Sequence, residues 1–423
     1  MNIVYVVHES YKHEISGAPI LTKYYADAAI KAGHQISILS ATNKNINSKL
    51  NVVFEDNIFS LNWPSLNSWS EDTFTNYSNL KCTEDYELPF KPDIIHVMDW
   101  VNMNPNFLEF FKKLNIPIIR TVLNFEDLCY FVSPIYYEKD YKPCVAPLTA
   151  ERCAGCISKN IYNKKKILAK FKDNILGLKE KKFSFYKKNL ENRNEEIINL
   201  TKKYFNHLIF PSETFTKFYL SHLNMDIKYS VIDLGIKKNY QKKDIKFSNE
   251  KLNFIFLGGA DTRKGWKIVE ESFYKILSKY KDKVNLRVYG HKKKTSKSKL
   301  NKFNSVNFYE SFNNDEIYNI LSWADLGLIP SYFETYNLVM RHYIEAGLVP
   351  ITTSFFGSEI VKNNINGIIL KNPYVDDLCK TVEELLNNKN LLNNLKENVK
   401  KTKILYTDEQ FSILNKLYKN LLK

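Results

Sequence analysis

Arginine is scarce in this chain. Of its 61 basic residues only six are arginine (Arg120, Arg152, Arg193, Arg263, Arg287 and Arg341). The guanidinium is a planar fork suited to carboxylates and phosphates, and Arg120, Arg152, Arg263 and Arg341 fall in or beside motifs, where geometry counts more than charge. No run of about 18 apolar residues occurs, which excludes a helix that spans a bilayer. The opening, MNIVYVVHESY, has no basic n-region and no cleavage site, so the expectation is a cytosolic chain, peripheral at most on the inner face of the cell membrane. Six cysteines in that setting argue for something other than structural disulfides. No solenoid repeat is visible, and no nucleic-acid motif accompanies the basic residues, which speaks against nucleic acid as a partner.

What is present is globular. With 423 residues, 44% hydrophobic and 25% charged, the chain has ample apolar material for two or three domains. The net charge of +15 points to an acidic partner, although a lysine-biased composition accounts for it equally well. The run Asn2 to Val7 predicts a buried parallel strand. A helical spacing of Leu21, Tyr24, Tyr25, Ala28 and Ala29 then ends at Gly33 before a strand over Gln35 to Leu39, which is a βαβ unit. Further strands are predicted at 51–54, 94–98, 118–121, 207–210 and 229–232. A second βα series follows: strand 253–257, helix 266–280, strands 284–289 and 306–309, helix 314–322, strand 326–330, a helix around 338–346, strand 349–352 and a helix over about 375–387. The fold class predicted is α/β, with two Rossmann-like doubly wound domains. The boundaries expected are 1–236 for the first domain, with an insertion over 129–203, then a lysine-rich linker at 237–251, a second domain at 252–405, and an amphipathic C-terminal helix at 406–423 that docks back.

Three short constellations carry chemistry. Ser16-Gly17-Ala18-Pro19 lies between a strand and a helix, where Gly17 either lets the backbone approach a phosphate or only makes a tight turn. Gly258 and Gly259 leave a strand end, and Arg263-Lys264-Gly265 stands just before a helix, a pairing of cations suited to a diphosphate. Pro330-Ser331-Tyr332-Phe333-Glu334-Thr335-Tyr336-Asn337-Leu338 places a carboxylate ahead of a helix start. There Glu334 suits sugar hydroxyls and the exposed N–H groups suit a phosphate. The bland readings are a solvated basic turn and an acid at a helix N-terminus.

Together these motifs resemble the retaining glycosyltransferases of family 4, of the GT-B fold, in which two Rossmann-like domains face a central cleft. Lys91-Pro92-Asp93-Ile94-Ile95-His96, Pro211-Ser212, Val231 to Ile236, Phe356 to Val361 and Asn366-Gly367-Ile368 extend the resemblance. It implies transfer of a hexosyl group from a nucleotide-diphosphate sugar to a glycan or lipid-linked acceptor, with retained configuration, in bacterial surface polysaccharide or glycoconjugate synthesis. It implies Arg263, Lys264 and Glu334 as catalytic residues. Donor-binding positions would be Gly17, Gly258, Gly259, Thr335, Tyr336, Asn337, Leu338 and His342, with Asn124 on the acceptor side. It also implies that no cofactor is required for transfer, with the leaving phosphate helping to deprotonate the acceptor. Three positions depart from the family pattern: His342 and Leu123 replace its Glu and His, and Gly259 its Arg. They motivate an alternative, a catalytically degenerate GT-B scaffold acting as a binding or partner subunit. A nucleotide-sugar epimerase is a third reading, against which the Arg263-Lys264-Gly265 and Glu334–Val339 motifs speak.

Two features lie beside the site motifs. Cys129, Cys144, Cys153 and Cys156 form a C-x14-C-x8-C-x2-C arrangement, suited to a structural zinc and less well to an iron–sulfur cluster. A similar cysteine-rich insert occurs in some members of the same family. Cys82 and Cys379 read as small apolar residues. Residues 159–203 hold 14 basic and five acidic side chains interleaved with aromatics, which suits an anionic membrane surface or, equally, an exposed helical hairpin.

Overall fold

The computed structural model describes residues 1–12, 17–42, 52–64, 87–101, 103, 105–129, 149–164, 178–223, 226–238, 251–290, 297–312 and 314–423. The chain divides into two compact units: Met1–Asp233 with Thr407–Lys423, and Leu234–Tyr406. Most of the lysine-rich stretch expected as a linker lies outside the described residues.

The first unit contains β1 (Asn2–Val7), α1 (Gly17–Lys31), β2 (Gln35–Thr42), β3 (Val52–Glu55), β4 (Ile58–Pro64), β5 (Ile94–Val97), α2 (Asn106–Lys112), β6 (Ile118–Thr121), α3 (Ala150–Lys164), α4 (Leu178–Tyr204), β7 (His207–Phe210), α5 (Glu213–Leu223) and β8 (Tyr229–Val231). Its sheet has the order β3-β4-β2-β1-β5-β6-β7-β8. The β3–β4 pair is antiparallel and the described pairings from β4 to β8 are parallel. Strands covered on both faces must be apolar throughout. Accordingly β5, β6 and β7 are buried along their whole length, as is β1 after its first residue. Strand β4 escapes the sequence pattern. It is the return arm of a hairpin whose turn residues, Asp56 and Asn57, both take left-handed φ, of 53° and 60°.

The basic segment is not simply a solvated surface. In α4 one face is buried through Tyr186, Leu190, Arg193, Ile197, Leu200 and Tyr204, and α4 packs on α3 around Ala154 and Ile157. Phe185 stays 44% exposed on the other side.

The second unit contains β9 (Leu252–Phe256), α6 (Trp266–Tyr280), β10 (Val284–Tyr289), β11 (Val306–Tyr309), α7 (Ile317–Leu321), β12 (Leu326–Ile329), α8 (Leu338–Glu345), β13 (Val349–Thr353), β14 (Ile368–Leu370), α9 (Val375–Asn387) and α10 (Lys389–Lys401). The helix expected over 314–322 is a 3₁₀ turn, Asn314–Glu316, running into the short α7. The sheet order is β11-β10-β9-β12-β13-β14, parallel throughout the described pairings. That is the 3-2-1-4-5-6 order of a dinucleotide-binding fold, with the order reversing between β9 and β12. Gly327 in β12 is required by packing: a Cβ there would lie 2.1 Å from the Tyr343 ring of α8.

The last helix, α11 (Thr407–Leu421), belongs to the first unit. Its Tyr418 Oη lies 2.6 Å from Nδ1 of His96 on β5, and its Gln410 donates to Tyr25 on α1. His96 Nε2 meets Thr121 Oγ1 at 2.7 Å, so both ring nitrogens are engaged inside the core. Burial drives the His96 pKa down to about 3.

Candidate functional site

In the second unit, β9 runs out into Leu257-Gly258-Gly259, and its parallel neighbour β12 runs out into Pro330-Ser331. Both ends lie at the reversal of strand order, the point where an open parallel sheet leaves a crevice for ligands. Gly259 takes a left-handed φ of 55°, and its N–H donates to the Tyr289 carbonyl at 2.9 Å. The turn that follows is closed by Asp261. Its Oδ1 accepts from the Arg263 N–H at 2.8 Å, and its Oδ2 holds the Arg263 guanidinium at 2.9 Å. Burial pushes the Asp261 carboxyl up, but Arg263 and Lys264 outweigh it and hold the pKa below the ordinary value.

Gly265 then enters α6 with φ of 84°, and a Cβ there would fall 2.1 Å from the Pro330 carbonyl oxygen. Only glycine meets both demands. The close approach seats the Arg263-Lys264 turn directly against the loop after β12, and the Tyr332 N–H donates to the Arg263 carbonyl at 3.0 Å.

Glu334 is the centre of that second loop and is 9% exposed. Its Oε1 accepts from Lys264 Nζ at 2.6 Å, Ser331 Oγ at 2.9 Å and Asn337 Nδ2 at 3.2 Å. Among the described residues nothing bonds its Oε2. Asn337, in extended conformation, caps α8 by accepting from the Met340 N–H at 2.9 Å. Thr335 and Leu338 flank it, both half-buried. Arg341 is buried behind the loop, stacked 3.7 Å over the Tyr336 ring and donating to the Gly357 carbonyl at 2.7 Å. The Tyr336 hydroxyl donates to the Leu234 carbonyl at 3.0 Å. His342 is buried, with Nδ1 3.1 Å from Tyr318 Oη, and burial lowers its pKa to about 4. Glu345, one turn on, instead accepts from Tyr406 Oη at 2.9 Å. The two cations expected to meet a diphosphate are therefore each paired with a carboxylate, one half-buried and one largely buried. Sequence reasoning singled out Lys264 and Glu334 but missed that they form one pair, and it missed the supporting Ser331.

In the first unit, Gly17 opens α1, and a Cβ on it would meet nothing within 4 Å; its neighbour Ser16 lies outside the described residues. Asn124 donates to Oδ2 of the buried Asp99 at 2.9 Å. Asp99 also accepts from the Val101 N–H at 3.0 Å, and its Oδ2 lies 3.4 Å from His8 Nδ1. Burial pushes the Asp99 pKa up, but His8, the Val101 N–H and Arg120 together hold it below the ordinary value. Behind this group Arg120 pairs with Asp127 at 2.7 Å and stacks 4.6 Å over Trp100, while Tyr219 donates to the same Asp127. Arg193 of α4 donates to the Glu126 carbonyl. Glu126 Oε2 is buried and has no partner among the described residues, and burial beside Asp99 and Asp127 pushes the Glu126 pKa up to about 8. His8 and Asp99 escaped the sequence reading; the available signal was a polar residue within two positions of the end of each of two adjacent buried strands.

Of the four cysteines expected to hold zinc, Cys153 and Cys156 stand one turn apart on α3, and Cys129 lies in the segment after β6. Cys144 falls outside the described residues, as does Cys82. Among the described residues no group of three or more His, Cys, Asp or Glu side chains is arranged to hold a metal, so no chemical step is routed through one.

Residues 237–402 match the family model of glycosyl transferases group 1. No curated protein matches the chain in sequence. Solved structures match nearly end to end. Sucrose-phosphate synthase from Thermosynechococcus elongatus superposes with a TM-score of 0.64 at 12% identity, covering 99% of this chain and 98% of that one. Anabaena HepE in complex with UDP and glucose gives 0.61 at 12% identity, with 99% and 100% covered. A glycosyltransferase from Rickettsia africae gives 0.61 at 15% identity, with 100% and 98% covered. The match to the family model fills almost the whole second unit, which is thus similar to the glycosyl transferases of group 1, in a chain of the GT-B fold.

Proposed function

We propose that the protein transfers a hexosyl group, with retained configuration, from a nucleoside-diphosphate sugar to a hydroxyl of a glycan or lipid-linked acceptor. The observation that carries this reading is the Lys264–Glu334 pair at the reversal point of the second sheet, 2.6 Å apart, with the N-termini of α6 and α8 beginning beside it. Helix N-termini and a lysine favour a diphosphate as negative charge collects on it. A largely buried carboxylate with one oxygen unbonded by any described residue suits sugar hydroxyls. A neighbour of the same fold, HepE, carries UDP and glucose in its structure, which supports a nucleotide sugar as donor.

Protein cations serve the diphosphate in this reading, so a chelator leaves turnover unchanged. The pathway that fits is synthesis of bacterial surface polysaccharide or another glycoconjugate on the cytoplasmic side. The basic face of α4, with Phe185 exposed near Lys187 and Lys188, would rest on an anionic leaflet and bring a lipid-linked acceptor within reach. Co-sedimentation with vesicles tests this: equal binding to neutral and anionic lipid removes the membrane from the proposal.

The second reading, a scaffold without turnover, is favoured by Arg263 being held by Asp261 and by His342 being buried and neutral. Release of nucleoside diphosphate, measured over a panel of UDP-, ADP-, GDP- and dTDP-hexoses, separates the two. The transferase reading expects turnover of one donor that collapses in Glu334→Ala and Lys264→Ala. Turnover that survives both substitutions refutes the site.

A further inference from the structure

We propose that the two segments by which the chain passes between its units are tied to the Glu334 loop through tyrosine hydroxyls, so that a nucleotide seated on that loop firms both crossings; this deepens the transferase reading and rests on its donor site. The chain leaves the first unit after Asp233 and returns to it at Thr407. The residues just inside those points, 234–236 and 405–406, belong to the second unit and pair with each other there. Ile236 and Tyr406 form a parallel bridge, and the Ile236 N–H donates to the Leu405 carbonyl at 3.1 Å. Leu234 and Ile236 are buried.

The loop after β12 and the helix α8 hold these segments at three points. Tyr336 stands two residues after Glu334. Its hydroxyl donates to the Leu234 carbonyl at 3.0 Å and accepts from the Leu234 N–H at 3.2 Å. One side chain thus serves both backbone groups of a buried residue. The Tyr406 hydroxyl donates to Oε2 of Glu345, the last residue of α8, at 2.9 Å. The Tyr318 hydroxyl donates to the Lys237 carbonyl at 3.3 Å and lies 3.1 Å from Nδ1 of His342, in the middle of α8.

The first tie is stiff. Arg341 stacks 3.7 Å over the Tyr336 ring, and Gly357 packs so close that an added Cβ would fall 2.8 Å from it. Arg341 also donates to the Gly357 carbonyl at 2.7 Å. A ring fixed in this way cannot swing its hydroxyl independently of the loop. Glu334 is bonded to Asn337, and Asn337 caps α8, so the carboxylate, the Tyr336 ring and the first turn of the helix form one body. A nucleotide bound against Lys264, Glu334 and the start of α8 favours the arrangement in which these groups are aligned. That is also the arrangement in which Tyr336 reaches Leu234. A ligand shifts an equilibrium only by its different affinity for the two arrangements, and the coupling is reciprocal. Whatever loosens the crossings therefore weakens the nucleotide. Tyr336, Tyr406 and Tyr318 are positioning residues in this scheme.

The test uses the full chain. Calorimetry with UDP, ADP, GDP and dTDP finds the nucleoside diphosphate that binds. Amide hydrogen exchange is then followed residue by residue, without it and at saturation. The reporter is the Ile236 N–H, because its bond to Leu405 is left intact by the substitutions made. In the wild type the nucleotide is expected to slow exchange at Ile236 by about fivefold or more. Tyr336→Phe keeps the ring and removes the hydroxyl; the slowing is expected to fall below half of its wild-type value. Tyr406→Phe, outside the Glu334 loop, is expected to show the same fall. A bond that only holds the fold would speed exchange by one factor in both states and leave the slowing unchanged. Wild-type slowing under fivefold at saturation overturns the proposal, and so does a Tyr336→Phe protein that keeps half or more of it. Where Tyr336→Phe does not fold or cannot be saturated, Tyr406→Phe is judged by the same threshold. A wild-type protein that binds none of the four nucleotides overturns the donor site itself, and the coupling with it. One that binds a nucleotide with Ile236 unmoved overturns the coupling alone.

Discussion

Lys264 and Glu334 lie 70 residues apart in sequence and meet at 2.6 Å across the reversal point of the second sheet. Neither is spare: Glu334 is supported by Ser331 and Asn337 on the same oxygen that Lys264 holds. Lys264→Ala and Glu334→Ala are each expected to lower kcat/KM for nucleoside diphosphate release by about 100-fold or more, the size of a lost electrostatic contact to developing charge. Because they act as one unit, the double variant should lose much less than the product of the two. Strictly additive losses would show that the pair does not work together.

Gly265 decides whether that pair can form. A methyl group there meets the Pro330 carbonyl at 2.1 Å, on a backbone with φ of 84°. Gly33 has nearly the same φ, 82°, but nothing within 4 Å of an added Cβ. Gly33→Ala is therefore expected to cost about 1 kcal/mol, from the left-handed backbone alone. Gly265→Ala should cost at least about 2 kcal/mol more, from the forced separation of the two loops. Urea midpoints measure the difference, and equal costs would sink the argument.

His96 should withdraw stability from the first unit as the pH falls, against Glu126, whose raised pKa of about 8 works in the opposite direction over the same interval. His96 is buried and bonded on both nitrogens, with a pKa near 3 against the ordinary 6.5. The unfolded chain therefore binds a proton at His96 that the folded chain refuses. This contribution to stability is complete above pH 6.5, declines as the pH falls, and is lost at the folded value near 3. Between pH 7 and pH 5 the loss from this one residue is about 2 kcal/mol. Denaturant unfolding of the wild type and of His96→Asn at both pH values isolates it from the opposing Glu126 contribution. In His96→Asn, which is less stable throughout, the decline over the same interval should shrink by about that amount.

Zinc is the outcome expected from the cysteine spacing, with Cys153 and Cys156 already one turn apart on α3. Protein purified without chelator should carry about one zinc per chain. Cys144→Ser and Cys153→Ser should each remove it. Elemental analysis that finds neither zinc nor iron in the wild-type protein ends this expectation.

Much of the fold was legible because a buried parallel strand leaves a strong local signature. The strands at 118–121, 207–210, 284–289 and 306–309 and the helix at 266–280 stand where the apolar periodicity placed them. Strand β4 was not legible, since its partner β3 is wholly exposed and the two turn residues are Asp and Asn rather than glycine. In the basic segment the charge hid the pattern. Tyr186, Leu190, Ile197 and Tyr204 keep a buried face on α4, but the lysines between them dominate the composition.

The sequence by itself determined the doubly wound class, the two loops that follow β9 and β12, and the residue types within them. Those follow from local rules: strand burial, glycine at a left-handed turn, an asparagine cap. Only the tertiary structure decided who meets whom. Arg263 turns to Asp261, whereas Lys264 reaches Glu334, because a glycine seated on the Pro330 carbonyl brings the two loops together. His8 faces Asp99, 91 positions away, because parallel pairing of β1 with β5 fixes their level in the sheet. Spacing along a chain carries information about one helix or one turn. Contacts across the reversal of a parallel sheet depend on strand order and register, which no local pattern records.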